Sequence, residues 1–312
     1  MNEFRDKGEP PYVPQGLKGL PWAPPESFLA IPHDEVPFET SPVVVLPVPY
    51  ESTVSYMGGT RFGPRGLIHA SRFLELYDHE LDFEPYMIGV HTLPELVLPD
   101  SGPEAALAML QRAMSELLDA DKFVIMIGGE HSVSGPAILA HAARYPELAL
   151  SVLQLDAHCD LRAEYEGTPY SHACVMHRVH GLVNLVPVGI RSLTAEERNL
   201  VRDNNIPVVF GHELRSDDWI ERVLASLGEK VYVTVDVDYF DPSLVPATGT
   251  PEPGGGDWYS TIELLQRVFD EKHVVGCDVV ELAPIPGLVA PDFLVAKLVY
   301  KMIALYAKRR GH

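Results

Sequence analysis

From Pro42 onward, short apolar runs rich in β-branched residues alternate with amphipathic stretches, and this alternation restricts the possible folds more than any other sequence feature. Alternating strand and helix patterns predict βα units arranged around a parallel sheet. Several runs are apolar at every position, which is typical of strands covered by helices on both faces. Strands are expected at residues 43–48, 87–92, 123–127, 150–156, 185–189, 208–210, 231–236 and 276–281.

The stretches between these runs have helical periodicity. Thr194 is followed three residues later by Glu197, which predicts a capping box at one helix start. No internal repeat or long linker is visible, so one three-layer domain of about eight strands is favoured over two domains. Helices are expected at residues 65–77, 103–119, 134–144, 194–204, 218–227, 261–272 and 292–308.

Residues 1–40 are rich in proline and glycine and lack sustained periodicity, which predicts an extended N-terminal arm before a folded domain at 41–312. No run approaches the roughly 20 apolar residues of a membrane span, and the first residues lack the apolar core of a signal peptide. We therefore expect a cytoplasmic protein that does not bind membranes. Cys159, Cys174 and Cys277 show no C-x-x-C spacing and are expected to be reduced thiols.

The chain is strongly acidic, with 24 Lys and Arg residues against 44 Asp and Glu residues and a net charge of −20. A charge of this sign repels nucleic acids and anionic lipids and attracts cations. The composition therefore favours a cationic substrate or a metal ion over a nucleic acid partner.

Metal-ligating residue types collect where three of the expected strands end. His131 follows the run 123–127, while Asp156, His158 and Asp160 follow the run 150–155. Asp236 and Asp238 follow a third run. In an open α/β sheet the carboxyl ends of the strands form the ligand-binding edge. Because residues two apart in an extended segment point to the same side, each group is expected to present its side chains together.

Four carboxylates at buried strand ends cost several kcal/mol unless cations compensate their charge. Two divalent metal ions would do so, and they would lower the pKa of a shared water towards neutrality. Two imidazoles and four carboxylates without a thiolate suit Mn²⁺ or another relatively hard ion. A single Asp-x-Asp at a strand end is more often a helix cap, but three such strand ends together favour a metal site.

The motifs GGEHS (128–132), LDAHCDLR (155–162) and VTVDVDYFDPSLVPATGTPEPGG (233–255) together resemble the ureohydrolase family of arginases and agmatinases. The resemblance implies a three-layer α/β/α fold with a central, mostly parallel eight-stranded sheet. It makes residues 41–312 the catalytic domain of a binuclear manganese hydrolase. In that family a metal-bridging hydroxide attacks a guanidinium carbon, and urea leaves with an amine.

The resemblance also implies a role for individual residues. One Mn²⁺ would be bound by His131, Asp156, Asp160 and Asp236, and the other by His158, Asp238 and the bridging Asp156 and Asp236. Asp160 would also hydrogen-bond the hydroxide and relay its proton. Glu281 would pair with the substrate guanidinium, Thr250 would lie beside it, and His172 would be a proton shuttle or substrate contact.

The preferred substrate is less tightly constrained. Arginases carry an asparagine where this chain has Arg162, and residues 49–64 are similar to agmatinases, which implies that agmatine is converted to putrescine and urea in polyamine biosynthesis. Arg162 keeps 4-guanidinobutyrate open as a substrate, and pairing of Arg162 with Glu164 or Glu166 is a structural alternative. An arginase remains a further alternative.

Two alternatives lie outside this activity. Zinc deacetylases of the same fold keep one metal, so His158 and Asp238 argue against that class. A non-catalytic metal-binding subunit predicts loss of ligands or of Glu281, and all are retained. The family resemblance further implies a homo-oligomer, either a trimer or a hexamer.

Overall fold

The computed structural model describes residues 26–311, which contain one eight-stranded sheet with the strand order β2-β1-β3-β8-β7-β4-β5-β6. Every neighbouring strand pair is parallel, so the sheet is wholly rather than mostly parallel. The strands are β1 (Val43–Val48), β2 (Val90–Thr92), β3 (Phe123–Gly128), β4 (Leu150–Leu155), β5 (Asn184–Ile190), β6 (Val209–Phe210), β7 (Lys230–Asp236) and β8 (His273–Val280).

Eight α-helices accompany the sheet in the described part of the chain. They are α1 (Gly63–Ser71), α2 (Pro103–Asp119), α3 (Ser134–Ala142), α4 (Val175–Val179), α5 (Ala195–Asp203), α6 (Trp219–Ser226), α7 (Trp258–Glu271) and α8 (Ala290–Arg309). The capping box of Thr194 and Glu197 is present at the start of α5. The sequence analysis missed the short helix α4.

Two elements differ clearly from expectation. The strand expected at 87–92 begins only at Val90, because Pro85–Ile88 form a 3₁₀ turn that ends at Gly89 with a φ of 92°. The helix expected to reach residue 77 ends at Ser71. The Ser71 hydroxyl donates to the carbonyl of Ile68, and such side-chain bonds compete with continued helix.

The core has two apolar layers, one on each face of the sheet. Phe123, Ile125 and Ile127 pack in the layer that contains α1, α6, α7 and α8. The intervening Val124 and Met126 pack in the layer that contains α2 to α5. This period of two places helices on both faces and gives the expected three-layer α/β/α architecture.

Of the proline-rich N-terminal segment, residues 1–25 lie outside the described residues. Phe28, Leu29 and Ile31 are buried against the domain. The backbone N–H of Phe28 donates to Thr92 Oγ1 at 3.0 Å, and that of Leu29 donates to Ser71 Oγ at 2.8 Å. The boundary at residue 41 stays a prediction.

The three cysteines are buried free thiols, as expected. Within residues 26–311, no helix has the length and apolar character needed to cross a membrane.

A buried ion pair ties α8 to the segment that follows α1. Lys301 and Asp78 are 3% and 1% exposed, and Lys301 Nζ lies 2.9 and 2.8 Å from the two carboxylate oxygens of Asp78. Asp78 also accepts the backbone N–H groups of Glu80 and Leu81. Burial raises the pKa of Asp78, but the hydrogen bonds and charge of Lys301, together with the bonds from the two backbone N–H groups, outweigh burial, and the net pKa is lowered.

We predict that Lys301→Met lowers the free energy of unfolding by about 3–5 kcal/mol, because Asp78 would stay buried without its cation. The folded pKa of Asp78 is depressed, so the contribution of the pair is complete above the unfolded pKa and is lost as pH falls through the folded pKa. Urea unfolding at several pH values measures both effects.

Lys308→Met is the matched control, since Lys308 on the same helix forms a half-exposed pair with Asp270. Its effect should stay below about 1 kcal/mol. Equal losses in the two variants would contradict the role given to the buried pair.

Candidate functional site

The candidate site lies at the carboxyl ends of four adjacent central strands, β3, β8, β7 and β4. His131 follows β3, Glu281 follows β8, Asp236 ends β7, and Asp156 follows β4. A pocket of about 330 Å³ opens above them. All the metal, catalytic and substrate residues named from the sequence line this pocket except Asp156, which lies buried beneath it: His131, His158, Asp160, His172, Asp236, Asp238, Thr250 and Glu281.

Three carboxylates converge on one imidazole nitrogen. His131 Nδ1 lies 3.0 Å from Asp160 Oδ2, 3.1 Å from Asp156 Oδ2 and 3.4 Å from Asp236 Oδ2. All four side chains are buried. Despite these short distances, Nδ1 has no hydrogen-bond partner among the described residues.

The other ring nitrogen of His131 indicates which tautomer is present. Nε2 lies 3.0 Å from Thr234 Oγ1, and the Thr234 hydroxyl donates to Asp278 Oδ1 at 2.6 Å. Because Thr234 uses its proton on Asp278, it accepts from Nε2–H. Nδ1 then faces the carboxylates of Asp156, Asp160 and Asp236. Burial alone would lower the pKa of His131, but Asp156 and Asp160 raise it well above its usual value, so a positive charge at Nδ1, carried by a proton or by a metal ion, is stabilised there. The donors therefore fit a divalent metal ion.

A second group of potential ligands adjoins the first. His158 Nδ1 lies 2.8 Å from Asp238 Oδ2 and 3.8 Å from Asp156 Oδ1. The structure thus contains two clusters that could each hold a metal ion, and Asp156 belongs to both: His131, Asp156 and Asp236 in one, Asp156, His158 and Asp238 in the other. A shared carboxylate is the arrangement by which one residue can bridge two metal ions.

Turns, and not the strand pleat, bring these ligands together. Asp160 has a φ of 53°, so residues 156–160 are not one extended segment. Asp238 lies in a 3₁₀ turn, where its backbone N–H donates to Asp236 Oδ1 at 2.9 Å. The expected grouping of Asp156, His158 and Asp160 and of Asp236 and Asp238 is present, but the expectation that an extended backbone would produce it was wrong. Glu281 also has a positive φ, 66°, and such conformations cost about 1–3 kcal/mol each.

The electrostatics indicate a surplus of negative charge at this site. Burial, together with Asp160 and Asp238, raises the pKa of Asp156 to about 7. Burial alone would lower the pKa of His158, but Asp238 and Asp156 raise it to about 10. Groups that hold protons this tightly occupy a place where positive charge is stabilised, and divalent cations can replace those protons.

Glu281 lies beside the same ligands. Its backbone N–H donates to the carbonyl of Gly129 at 2.7 Å, and its Oε1 accepts the backbone N–H of His131 at 2.7 Å. Oε2 faces Gly249, where an added Cβ would lie 3.9 Å away. Burial raises the pKa of Glu281 to about 8, so a cation brought to this carboxyl would be bound strongly.

His172 is oriented by a chain of hydrogen bonds. Thr53 Oγ1 donates to Glu130 Oε1 at 2.8 Å, accepts the backbone N–H of His172 at 3.0 Å and lies 3.2 Å from His172 Nδ1. Thr53 can therefore only accept from Nδ1–H, which leaves Nε2 as an acceptor 2.8 Å from Ser55 Oγ. A neutral imidazole held in this way presents the lone pair of Nε2 towards Ser55.

The sequence analysis missed the residues that support the site. Glu130 stands inside the GGEHS motif and binds the backbone N–H groups of Ser52 and Thr53. Its position next to His131 was a usable signal. Arg191 donates to several backbone carbonyls of surrounding loops, including that of Asp238 at 2.7 Å. No local pattern marked this arginine.

Arg162 lines the pocket without the ion pairs considered for it. Its guanidinium lies 4.9 Å from the centre of the Tyr165 ring. Within the described part of the chain it forms no ion pair with Glu164 or Glu166, so that structural alternative is wrong. Stacking on a neighbouring aromatic ring is what holds this cation.

Comparison with known proteins adds three findings. Residues 41–304 match the model of the Arginase family. The chain is 39% identical over 274 residues to the N(1)-aminopropylagmatine ureohydrolase of Synechocystis, covering 85% of this chain and 89% of that protein. It is 39% identical over 256 residues to the agmatinase of Bacillus cereus, covering 80% and 86%.

Among solved structures, the agmatine ureohydrolase of Thermoplasma volcanium superposes with a TM-score of 0.78 and 29% identity, covering 87% of this chain and 92% of that one. The family match at residues 41–304 spans all eight strands of the sheet.

We predict that Asp156→Asn raises the melting temperature of metal-free protein and abolishes the stabilisation that Mn²⁺ gives. Removing the shared carboxylate relieves repulsion between buried acids but destroys both clusters. In the native chain of 312 residues, metal at 100 times its Kd should contribute about 2.7 kcal/mol, a shift of about 4 °C. Thermal melts after chelation, with and without Mn²⁺, together with elemental analysis, measure both effects.

The exposed Asp217 provides a control of the same charge change, and Asp217→Asn should retain the shift of the native chain. An Asp156→Asn protein that still gained the full shift would rule out these clusters as the metal site.

Proposed function

The chain belongs to the arginase family of hydrolases that act on guanidino C–N bonds, and we propose that it is an agmatinase-type ureohydrolase. Its reaction would convert agmatine and water to putrescine and urea. The observation that carries the proposal is the position of Glu281, a partly buried carboxylate held against two adjoining clusters of metal ligands. A planar guanidinium is the cation that such a carboxylate can bind through two parallel N–H bonds.

We propose two Mn²⁺ ions per chain, because the donor set contains two imidazoles, four carboxylates and no thiolate. His131, Asp156, Asp160 and Asp236 would hold one ion, and His158, Asp156, Asp236 and Asp238 the other. When bound, the ions supply Lewis acidity that activates water for attack on carbon. The unpartnered Nδ1 of His131 supports this assignment.

The chain's own residues would carry out the remaining steps. Glu281 orients the guanidinium through its free Oε2, and Thr250 lies beside it in the pocket. Addition of water to the guanidinium carbon is followed by cleavage of the bond to the alkyl nitrogen, which gives urea and an amine. Asp160 would accept the proton released by the water, and His172 would carry a proton between solvent and the leaving amine through Nε2.

N(1)-aminopropylagmatine is a second candidate substrate, because the similar proteins include several named for its hydrolysis. The same cleavage of that compound yields urea and a linear triamine. Either product would assign the enzyme to polyamine biosynthesis. Arg162 in the pocket wall leaves 4-guanidinobutyrate as the alternative with an anionic tail.

We predict that, with Mn²⁺ present, urea is released from agmatine at least about 100-fold faster than from arginine in kcat/KM. The α-carboxylate of arginine would be desolvated in a pocket lined by seven carboxylates, with Arg162 as the single arginine among the lining residues. A panel of arginine, agmatine, N(1)-aminopropylagmatine and 4-guanidinobutyrate measures this preference. Comparable rates on arginine and agmatine would refute it, and no urea from any of the four would refute the proposed activity.

Glu281→Gln should lower kcat/KM by roughly 30- to several-thousandfold, which corresponds to about 2–5 kcal/mol of transition-state stabilisation. The amide replaces a charge-assisted pair with one neutral acceptor, whereas the metal ligands stay in place. Steady-state urea release and elemental analysis test the two parts of this expectation.

Glu196→Gln, an exposed change on α5, should leave both quantities unaltered. Near-normal kinetics of the Glu281 variant would remove Glu281 from the substrate site.

A further inference from the structure

Glu252 differs from the other acids of the pocket. The pocket is lined by seven carboxylates: Glu130, Asp160, Glu197, Asp236, Asp238, Glu252 and Glu281. Six of them lie beside the imidazoles of His131 and His158 or accept backbone N–H groups, as Glu197 does from Leu161 and Thr194. Among residues 26–311, no hydrogen bond or ion pair to the Glu252 carboxylate is formed. A half-buried acid without a partner in a substrate pocket is available to bind a cation.

The backbone that carries Glu252 is nevertheless firmly held. Arg191 donates from Nη2 to the carbonyl of Glu252 at 2.9 Å and from Nε to the carbonyl of Pro253 at 3.2 Å. The same Nη2 donates to the carbonyl of Asp238 at 2.7 Å. One guanidinium thus fixes the Glu252 loop to the turn that carries a metal ligand. The free carboxylate therefore extends from a preorganised position.

Two large apolar side chains share this pocket and are left in solvent. Tyr56 is 76% exposed and Met57 is 54% exposed. The carbonyl of Met57 lies 2.9 Å from where a Cβ at Gly249 would be, so the segment packs against the loop of Glu252. An aromatic face attracts an ammonium ion, and a thioether side chain packs well on methylene groups.

We propose that Glu252, Tyr56 and Met57 form a subsite for the ammonium at the far end of a linear substrate. The inference rests on the proposed function, because Glu281 defines where the guanidinium end lies. Glu252 is three residues from Gly249, which adjoins Glu281, and three residues span at most about 10–11 Å. The subsite is therefore within reach of an amine several methylenes from the guanidinium. It selects guanidines with amine tails over those with neutral or anionic tails.

The test compares Glu252→Gln with the native chain on agmatine, N(1)-aminopropylagmatine and butylguanidine, which has the alkyl chain of agmatine without its amine. We expect kcat/KM to fall by about 5- to 30-fold on at least one amine-tailed substrate. On butylguanidine it should change by less than about twofold. The substrate with the larger loss identifies the amine that Glu252 binds.

Equal losses on all three substrates, or no loss on any, would overturn the subsite while leaving the proposed function intact. A native chain that releases urea from none of them would overturn the proposed function, and the subsite with it. Glu164→Gln is the matched control and should leave kcat/KM unchanged on all three substrates. Glu164 lies between the pocket residues Arg162 and Tyr165, is exposed and does not line the pocket.

Glu252→Lys should in addition move the substrate preference towards 4-guanidinobutyrate, since it reverses the charge that meets the tail of the substrate.

Discussion

The mutual repulsion of buried carboxylates is the interaction on which this molecule depends most. Asp156, Asp160, Asp236 and Asp238 are all nearly inaccessible to solvent, and they meet within a few ångströms of one another. Isolated charges in such a place would cost many kcal/mol, so the group is compatible with a folded protein only when protons or metal cations neutralise it. Protons would leave a passive acidic pocket, whereas divalent cations turn the same residues into a site that can activate water.

The strand order explains how residues more than 100 positions apart reach this one place. The chain lays down β1 to β3, crosses to build β4 to β6, and then returns to insert β7 and β8 between β3 and β4. Four sequence-distant strand ends thereby become neighbours at a single edge. Two helical layers cover the sheet, so the ligands stand in a low-dielectric setting where their interactions are strong.

Much of the fold could be predicted because apolar periodicity is a local property. All eight strands and seven helices follow from it, and the Thr194 cap follows from the spacing of Thr194 and Glu197. The turn at Pro85 and the early end at Ser71 depend on backbone and side-chain details that periodicity does not report. The ligand residue types were recognisable at the strand ends, but the left-handed backbone conformation of Asp160 was not. Arg191 was missed because its carbonyl partners belong to separate loops. The oligomeric state and cytoplasmic location stay predictions.

The two ends of the pocket are constrained differently, and this difference bears on how specificity is set. At the proposed guanidinium end each acid is tied to a backbone N–H or lies beside His131 or His158, so altering one of them would disturb the proposed metal binding or the local fold as well as the substrate. At the tail end, Glu252, Tyr56 and Met57 contribute little to packing, because their side chains are partly or largely in solvent. Changes there cost little stability. If the proposed function and subsite hold, the fold keeps one cleavage chemistry fixed while the chemical nature of the accepted tail varies.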